Sequence, residues 1–398
     1  MNTGLAARRR FVLVLGMLTG LAALSVDMSL PAIPQMVEAL ATSMSLGQLI
    51  VGCFMAGLAL GQVPAGLLSD RLGRMPVLYG GVGIFTLAAL LCSISNSIEL
   101  MLAGRVLQGL GASVGVVVAR AIVRDIASGR EAARLMSALV MIFTAAPMLA
   151  PIIGSFLVNA WNWRSPFYAI VIFGFLMLYS LHTILRETHV PIREHHILRQ
   201  LWMSLREFFS HRQSVLGLLL TLLPAAGFMS LITGSSALVI EIYAYPVQAF
   251  GFIFALAGLS ILGGSTLNRR LLLRLSSIQA IGIGATLMGI ASVQLLLIAW
   301  LNDAPFAWLW GNVCLFMFGT GLLLPNATAL ALDPVPRIAG VAASIIGTVQ
   351  NVAGAGSAIA SGMLYDGSIR NLAFFMGFFG ISTGVVFLLR RFIAGEIQ

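Results

Sequence analysis

One aspartate, Asp27, lies near the end of an apolar run that begins at Phe11 and holds no other charged residue. A run of about 20 apolar residues is long enough to cross a bilayer as a helix. A carboxyl group in such a medium can take up and release a proton, because its charged form is poorly solvated there. Asp27 therefore indicates a proton relay or a ligand site. The alternative is a structural carboxylate that closes a buried hydrogen bond.

A second charge, Arg105, lies in a later apolar run that starts close to Glu99. Arg105 lies six residues after Glu99, which is about 9 Å along a helix. Asp27 lies seven residues inside Pro34, so the sequence predicts both charges at a similar depth from the same membrane face. A guanidinium at that level could hold Asp27 ionised or exchange places with an arriving proton or substrate. Alternatively, Arg105 binds carbonyl groups at the ends of the spans.

Composition predicts the elements that must position these two charges. The chain has 398 residues, of which 59% are hydrophobic and 9% charged, with a mean hydropathy of +0.98. A soluble domain is about half apolar and a quarter charged, so we predict a polytopic all-α membrane protein. Strands of a membrane barrel would show alternating polarity instead. We place twelve transmembrane helices at about 11–34, 45–68, 76–95, 100–122, 135–158, 166–185, 214–239, 248–267, 277–301, 305–330, 338–363 and 371–389.

The distribution of arginine predicts the orientation. The formal net charge is +9, and all 23 basic residues are arginines. All except Arg105, Arg164 and Arg370 fall at alternate ends of the predicted spans. The positive-inside rule then places both termini in the cytoplasm. Nucleic acid is not needed to explain the charge. The first run resembles a signal peptide, but eleven further spans predict a retained helix.

The remaining reactive side chains do not form a metal or cofactor motif. The three cysteines lie in separate predicted spans, and the five histidines crowd around the central loop. We interpret the histidines as part of a solvated cytoplasmic segment and expect no metal and no cofactor. The sequence has no HExxH motif and no Ser/Lys pair on adjacent turns, so a membrane-embedded enzyme is disfavoured. A receptor would not need paired intramembrane charges.

The spans divide six and six around a polar stretch. We predict an N-terminal bundle at 1–185, a linker at 186–213 with an interfacial amphipathic helix, and a C-terminal bundle at 214–398. GLLSDRLGR at 66–74 is mirrored by GSTLNRRLLLR at 264–274, and GLG at 109–111 by GTG at 319–321. Repeats at matching places predict two pseudo-symmetric bundles that bind substrate between them near the midplane and work by rocking.

Three further groups of residues have predicted roles. A cytoplasmic gate is indicated by the small and charged residues of the turn after span 2, namely Gly66, Asp70, Arg71, Gly73 and Arg74. Pro147 and Pro151 remove internal hydrogen bonds from span 5. A substrate cavity is assigned to polar residues within spans and to aromatic side chains, namely Gln62, Gln108, Asn326 and Gln350 with Phe54, Phe143 and Phe254.

The sequence resembles the major facilitator superfamily. GLLSDRLGR fits the loop signature of that superfamily, and RVLQGLGA at 105–112 fits its span 4 pattern. Other stretches resemble the Bcr/CflA type of drug:proton antiporter, which confers bicyclomycin and chloramphenicol resistance. These are DMSLPAIP at 27–34, with Ser29 in place of a tyrosine, APMLAPIIG at 146–154, NWRSPF at 162–167, PNATALAL at 325–332 and AGVAASIIGTVQ at 339–350.

The resemblance implies a monomeric proton-driven exporter of small amphiphilic drugs such as phenicols. It implies that Asp27 and Arg105 couple proton movement to transport, and that Pro147, Pro151 and Gly154 seal span 5 against proton leak. A proton-coupled metabolite transporter for an amino acid or nucleobase would share the same fold and both charges. Pocket chemistry alone separates the two interpretations, and it stays open at this point.

Overall fold

The computed structural model describes residues 2–127, 129–189 and 197–394, and within these residues it contains helices and turns but no strand. The helices of the first half are α1 (Asn2–Ser29), α2 (Ile33–Ala39), α3 (Met44–Leu72), α4 (Arg74–Ser93), α5 (Ile98–Ile126), α6 (Gly129–Ala160) and α7 (Ser165–Ile184). A 3₁₀ turn, Leu30–Ala32, joins α1 to α2. It contains Pro31, which has no N–H to continue the α-helical pattern.

The second half repeats this plan after a short additional helix. Its helices are α8 (Ile197–Ser210), α9 (Arg212–Ser236), α10 (Val247–Leu271), α11 (Ser277–Leu301), α12 (Phe306–Leu332), α13 (Ala339–Met363), α14 (Arg370–Leu388) and α15 (Arg390–Ala394). A π-helical stretch, Ala237–Ile242, extends α9.

Eleven helical segments of the described chain are long and apolar enough to cross a membrane. The predicted span at 135–158 is not one of these eleven segments. It lies within α6, a helix of 32 residues. The first segment runs from Arg10 to Ala39, because the 3₁₀ turn and α2 follow α1 without a break, beyond the predicted end at 34. The all-α membrane fold predicted from the sequence is confirmed.

Side chains define several helix starts. Ser43 accepts a hydrogen bond from the Leu46 N–H at the start of α3, and Ser97 accepts one from Leu100 at the start of α5. Ser276 and Gln279 form a complete capping box at the start of α11. Such caps satisfy N–H groups that have no partner inside the helix.

The chain divides into two compact units. Unit 1 contains Met1–Glu194 and Tyr245–Phe252, and unit 2 contains His195–Ala244 and Ile253–Gln398. In unit 1, α5 is central because it packs against α1, α3 and α4. In unit 2, α9 packs against α12, α13 and α14, and α11 packs against α12 and α14.

Glycine allows the closest helix contacts in each unit. An added Cβ at Gly109 of α5 would lie 2.1 Å from the Phe54 carbonyl of α3, and one at Gly111 would lie 2.5 Å from Phe85 N of α4. In unit 2 the order is reversed. Gly319 of α12 approaches Gly284 of α11, and Gly321 approaches the Ile261 carbonyl of α10. Each motif therefore contacts the second and the third spanning helix of its unit, but its two glycines do so in opposite order in the two units.

Candidate functional site

Arg105 is the centre of a buried polar cluster on α5, and it is 0% exposed. Its Nη1 donates to Gln108 Oε1 at 2.7 Å and to Ser25 Oγ at 3.2 Å. Its Nη2 donates to Ser29 Oγ at 3.5 Å, and its Nε donates to the Ile50 carbonyl at 3.3 Å. The guanidinium therefore ties α1, α3 and α5 together with neutral acceptors.

Aromatic rings complete the surroundings of this cation. The guanidinium carbon of Arg105 lies 4.6 Å from the ring centroid of Phe54 and 5.9 Å from that of Phe167. The ring faces carry partial negative charge and attract the cation. Within the described residues, no acidic side chain forms an ion pair with Arg105. Phe54, predicted to line a cavity, is fully buried beneath it.

Asp27 lies on the other side of α1 from Arg105. Ser25 and Ser29, four residues apart, share the helix face that Arg105 contacts, and Asp27 lies midway between them. Two residues correspond to about 200° of rotation around a helix, so Asp27 projects away from that face. It is 2% exposed, and no described residue donates a hydrogen bond to its carboxylate. Arg105 thus contacts α1 at Ser25 and Ser29, on either side of Asp27 in the sequence, but it is not bonded to Asp27.

The predicted antiporter motif of span 5 packs directly against this part of α1. An added Cβ at Gly154 of α6 would lie 2.1 Å from the carbonyl oxygen of Met28, the residue after Asp27. Gly154 is thus required for close contact between α6 and α1. Pro147 and Pro151 both lie inside α6, which remains helical through them.

Three buried amide side chains lie on α3 and α5, and one of them, Gln108, belongs to the Arg105 cluster. Gln108 is 0% exposed, and its Nε2 has no partner among the described residues. Gln48 of α3 is also 0% exposed, and neither its Oε1 nor its Nε2 finds a described partner. Gln62, predicted to face a cavity, is 8% exposed on α3. Sequence inspection did not single out Gln48, since a lone glutamine in an apolar run gives no chemical signal.

A second cluster lies at the turn between α3 and α4, around Arg74. Its Nε and Nη2 donate to the two carboxylate oxygens of Asp125 at 2.9 and 3.2 Å. Its Nη1 donates to Ser69 Oγ at 2.9 Å and to Asp70. Arg74 is 5% exposed, and its bonds to Asp70 and Asp125 join the ends of α3 and α5.

The segment that follows α7 closes over the same turn. Glu187 Oε1 and Oε2 accept hydrogen bonds from the backbone N–H groups of Arg74 and Met75, each at 2.9 Å. Partial burial disfavours the charge of Glu187, but four backbone N–H donors outweigh it and hold the pKa of this carboxyl below its usual value. Thr188 Oγ1 donates to Asp125, and the His189 ring contacts the Asp70 carbonyl.

Gly73 makes this arrangement sterically possible. Its φ of +97° lies in the left-handed region, and an added Cβ would lie 2.7 Å from Glu187 Oε2. Gly66, in contrast, would bring a Cβ only into ordinary contact with Val117, and Arg71 is exposed. The predicted gate residues thus separate into a bonded group, Asp70, Gly73 and Arg74, and two residues at its edge.

The remaining cavity candidates belong to different environments. Asn326 is 4% exposed, and its Nδ2 donates to Asn268 Oδ1 at 2.7 Å, which links α12 to α10. Phe254 is 2% exposed, and Gln350 is half-buried on α13. The side chain of Phe143 lies outside the described residues, as do His195 and His196. In the part of the chain that is described, no group of His, Cys, Asp and Glu could hold a metal ion.

Sequence inspection gave no role in these clusters to several residues, namely Ser25, Ser29, Ser69, Asp125, Phe167, Glu187 and Thr188. Ser25 and Ser29 flank Asp27 at a spacing of four, which is a usable signal for a shared helix face. Asp125 and Glu187 are 51 and 113 residues from Arg74, and no local pattern connects them.

Comparison with known proteins places these clusters in context. The family model described as "Major Facilitator Superfamily" matches residues 15–358. The chain is 31% identical over 359 residues to the "Bicyclomycin resistance protein homolog" of Haemophilus influenzae, covering 88% of this chain and 89% of that protein. It is 28% identical over 383 residues to "Multidrug resistance protein D" of Escherichia coli, covering 93% of each. A crystal structure of a D-xylose-proton symporter matches 98% of this chain and 100% of its own, with a TM-score of 0.75 and 16% identity.

Proposed function

The chain is a member of the major facilitator superfamily, and we propose that it is a drug:proton antiporter that exports small amphiphilic antibiotics by alternating access. Members of this family are transporters and not enzymes. Relatives at about 30% identity are named for resistance to bicyclomycin and to multiple drugs, which favours drug efflux over metabolite transport. Phenicols and bicyclomycin-like compounds are the proposed substrates.

The observation that carries this proposal is Asp27, a buried acid without a described partner in the first membrane span. A charged carboxylate in this environment is costly unless a cation or hydrogen-bond donors compensate it. Proton uptake removes that cost, and so does an approaching drug that carries a positive charge or a donor group. Competition between proton and drug for one carboxyl is the basis of antiport.

The cycle then follows from one titrating group. Facing the outside, Asp27 accepts a proton and the drug is released. Facing the cytoplasm, Asp27 loses its proton as drug binds. The proton gradient drives export because protonation occurs on the acidic side and deprotonation on the other.

Arg105 supports this cycle as a buried positive charge that contacts α1 on both sides of Asp27 in the sequence. Its bonds to Ser25 and Ser29 hold the opposite face of α1. Gly154 of α6 holds the next residue, Met28. We assign to Arg105 a coupling role and to Gln62, Gln108, Phe143, Asn326 and Gln350 the substrate cavity. Pro147, Pro151 and Gly154 restrict proton leak along α6.

The Arg74 cluster acts as a gate on the cytoplasmic side. Asp70, Arg74, Asp125 and Glu187 join the ends of α3, α4 and α5 and the segment after α7 in one hydrogen-bonded network. Gly66 and Arg71 lie near the end of α3, and Gly73 forms the turn to α4. We further propose a monomer in a bacterial inner membrane, with both termini in the cytoplasm. We propose that the bundles at 1–185 and 214–398 are joined by the linker at 186–213.

Transport in proteoliposomes tests the proposal. Wild type and Asp27→Asn are compared under an imposed pH gradient, with a phenicol, bicyclomycin and a cationic dye as substrates. We expect gradient-driven transport of at least one drug by wild type and none by Asp27→Asn. Drug affinity of wild type should fall as the pH falls, because protonation displaces drug, and the affinity of Asp27→Asn should not change with pH.

Asp303→Asn is the matched control, because Asp303 is an exposed acid in the loop between α11 and α12. It should transport like wild type. Gradient-driven transport by Asp27→Asn at the wild-type rate would assign a structural role to Asp27. Transport of amino acids or nucleobases without any drug would replace the proposed substrate class.

A further inference from the structure

The short helix α8 presents two apolar surfaces, and only one of them is covered by protein. Phe208 is 0% exposed and packs in a cluster with Leu218, Ala342 and Ile345, against which Leu205 also packs. This contact fixes α8 on α9 and α13. The helix is therefore an integral part of unit 2.

The second apolar surface of α8 is open. Trp202 is 69% exposed and Phe209 is 48% exposed. At about 100° per residue these two side chains lie about 20° apart around the helix, and Arg206 lies about 40° beyond Trp202. Phe209 makes an edge contact with the buried Phe208, with ring centroids 5.3 Å apart. A rigid aromatic edge bordered by an arginine thus faces away from the protein.

The C-terminal helix α15 extends this surface. Gly234 of α9 lies against Leu372 at the start of α14, and Gly227 lies against Phe379. The two helices are therefore antiparallel, and the end of α14 reaches the start of α9. There α15 packs on α9 and exposes Phe392, at 84%, beside the exposed Arg391. Arg212, the first residue of α9, is also exposed at this end of the unit.

These six residues, Trp202, Arg206, Phe209, Arg212, Arg391 and Phe392, form what we call the arginine–aromatic surface. Its three arginines form no ion pair with any described residue. The one acid of α8, Glu207, lies about 100° from Arg206, on the polar side of the helix. Positive charge and aromatic rings at the end of a transmembrane unit match the interface of a bilayer, where aromatic rings lie at headgroup level.

We propose that the arginine–aromatic surface binds anionic phospholipid headgroups of the inner leaflet. The arginines contact lipid phosphates, for which their planar N–H groups are well suited. The three aromatic side chains enter the boundary between headgroups and acyl chains. The arginine distribution assigns this end of unit 2 to the cytoplasmic side, where anionic lipid attracts basic segments. The surface thereby anchors the segment that precedes α9.

Quenching of Trp202 fluorescence by brominated lipid tests this binding on the full chain in nanodiscs. Brominated phosphatidylglycerol and brominated phosphatidylcholine are used at the same mole fraction, and Trp202→Phe isolates the signal of Trp202 from that of the other tryptophans. We expect stronger quenching by phosphatidylglycerol. Each basic residue near an anionic surface contributes about fivefold to partitioning, so Arg206→Gln/Arg212→Gln/Arg391→Gln should abolish most of the preference.

The control triple variant, Arg269→Gln/Arg270→Gln/Arg274→Gln, removes the same charge from exposed arginines near the end of α10. It should keep the preference for phosphatidylglycerol. The Arg→Lys triple variant at 206, 212 and 391 retains the charge and should keep most of the preference, which excludes misfolding as the cause. Equal quenching by both lipids in wild type overturns the proposal. An equal loss of preference in both Gln triple variants also overturns it, because net charge alone would then explain the result.

Discussion

The two units bury different kinds of polar groups. In the described residues of unit 1, the buried polar side chains include three charged ones, Asp27, Arg74 and Arg105. In unit 2, the described buried polar side chains are all neutral. Some of them bond to one another, as in Asn268–Asn326 and Ser361–Asn371.

This difference concerns chemistry and not packing. Gly111 and Gly319 each contact the third spanning helix of their own unit. When these two glycines are matched, Val313 occupies the position of Arg105, and both side chains are fully buried. The same kind of helix contact thus surrounds a cation in one unit and an aliphatic side chain in the other. We infer that the proton chemistry takes place in unit 1. We also expect that replacing a buried side chain by a neutral one affects transport less in unit 2 than in unit 1.

The largest effect is expected from Arg105→Ala. Deletion of this large buried side chain leaves a cavity, and it removes the donor to Gln108 Oε1 and Ser25 Oγ, whereas Ser29 Oγ keeps its bond to the Val26 carbonyl. We expect a destabilisation of about 3–5 kcal/mol and loss of gradient-driven transport. Thermal unfolding in detergent and the proteoliposome assay measure the two effects.

Val313→Ala is the matched variant in unit 2 and should cost about 2 kcal/mol with transport retained. Arg105→Lys preserves the charge but not the planar set of donors, so it should restore part of the stability and little of the transport. Equal losses at positions 105 and 313 would break the comparison between the units.

Glycine substitutions provide the next largest effects and test the shared packing. Gly109→Ala and Gly321→Ala each place a Cβ within 2.2 Å of a backbone carbonyl oxygen of a neighbouring helix. Each should destabilise its unit by about 1–3 kcal/mol, because the helices must separate.

Gly83→Ala and Gly289→Ala are the controls, one in each unit, since nothing lies within 4 Å of an added Cβ at either position. Alanine is the better helix former by about 0.5–1 kcal/mol, so these variants should unfold at the wild-type temperature or slightly above it. A large loss for Gly109→Ala without one for Gly321→Ala would show that the two units are not packed alike.

The spans and the family motifs could be predicted because apolar length and local spacing encode them. Residues that meet across the fold could not. Arg105 was assigned a possible partner in Asp27 from depth alone, but depth does not determine the direction of a side chain around a helix. Its bonds to Ser25 and Ser29 place Asp27 on the other side of α1.

The sequence also could not predict which neighbouring helix each glycine of the two motifs faces. GLG and GTG are identical in spacing, and yet Gly109 faces α3 whereas Gly319 faces α11. Helix rotation decides which neighbour a glycine meets, and the rotation depends on the whole bundle. Likewise, Asn326 is a polar residue within a span, and only the fold shows that its amide is bonded to Asn268.

The neutral pair of unit 2 provides the third prediction. Asn326→Ala leaves Asn268 Oδ1 buried without its partner, which should cost about 1–3 kcal/mol. The double variant Asn268→Leu/Asn326→Leu replaces both partners by apolar groups of similar size and should recover most of that loss. Thermal unfolding of the single and double variants measures the recovery. Failure of the double variant to recover would show that the pair has a role beyond mutual hydrogen bonding.

The smallest effect is expected at Glu187, the exposed acid that caps α4 in unit 1. Glu187→Gln removes one of the two acceptors for the N–H groups of Arg74 and Met75. We expect a loss of at most about 1 kcal/mol, because solvent screens this partly exposed group.

The pKa of Glu187 is held below its usual value, so its contribution is present at neutral pH and is lost as the pH falls through the lowered pKa. The difference in unfolding temperature between wild type and Glu187→Gln should therefore shrink on acidification. Glu38→Gln, which removes an equally exposed acid from α2, should show no such pH-dependent difference. If the difference in unfolding temperature were the same at every pH, Glu187 would act through packing. The charge of Glu187 would then have no role in the proposed gate.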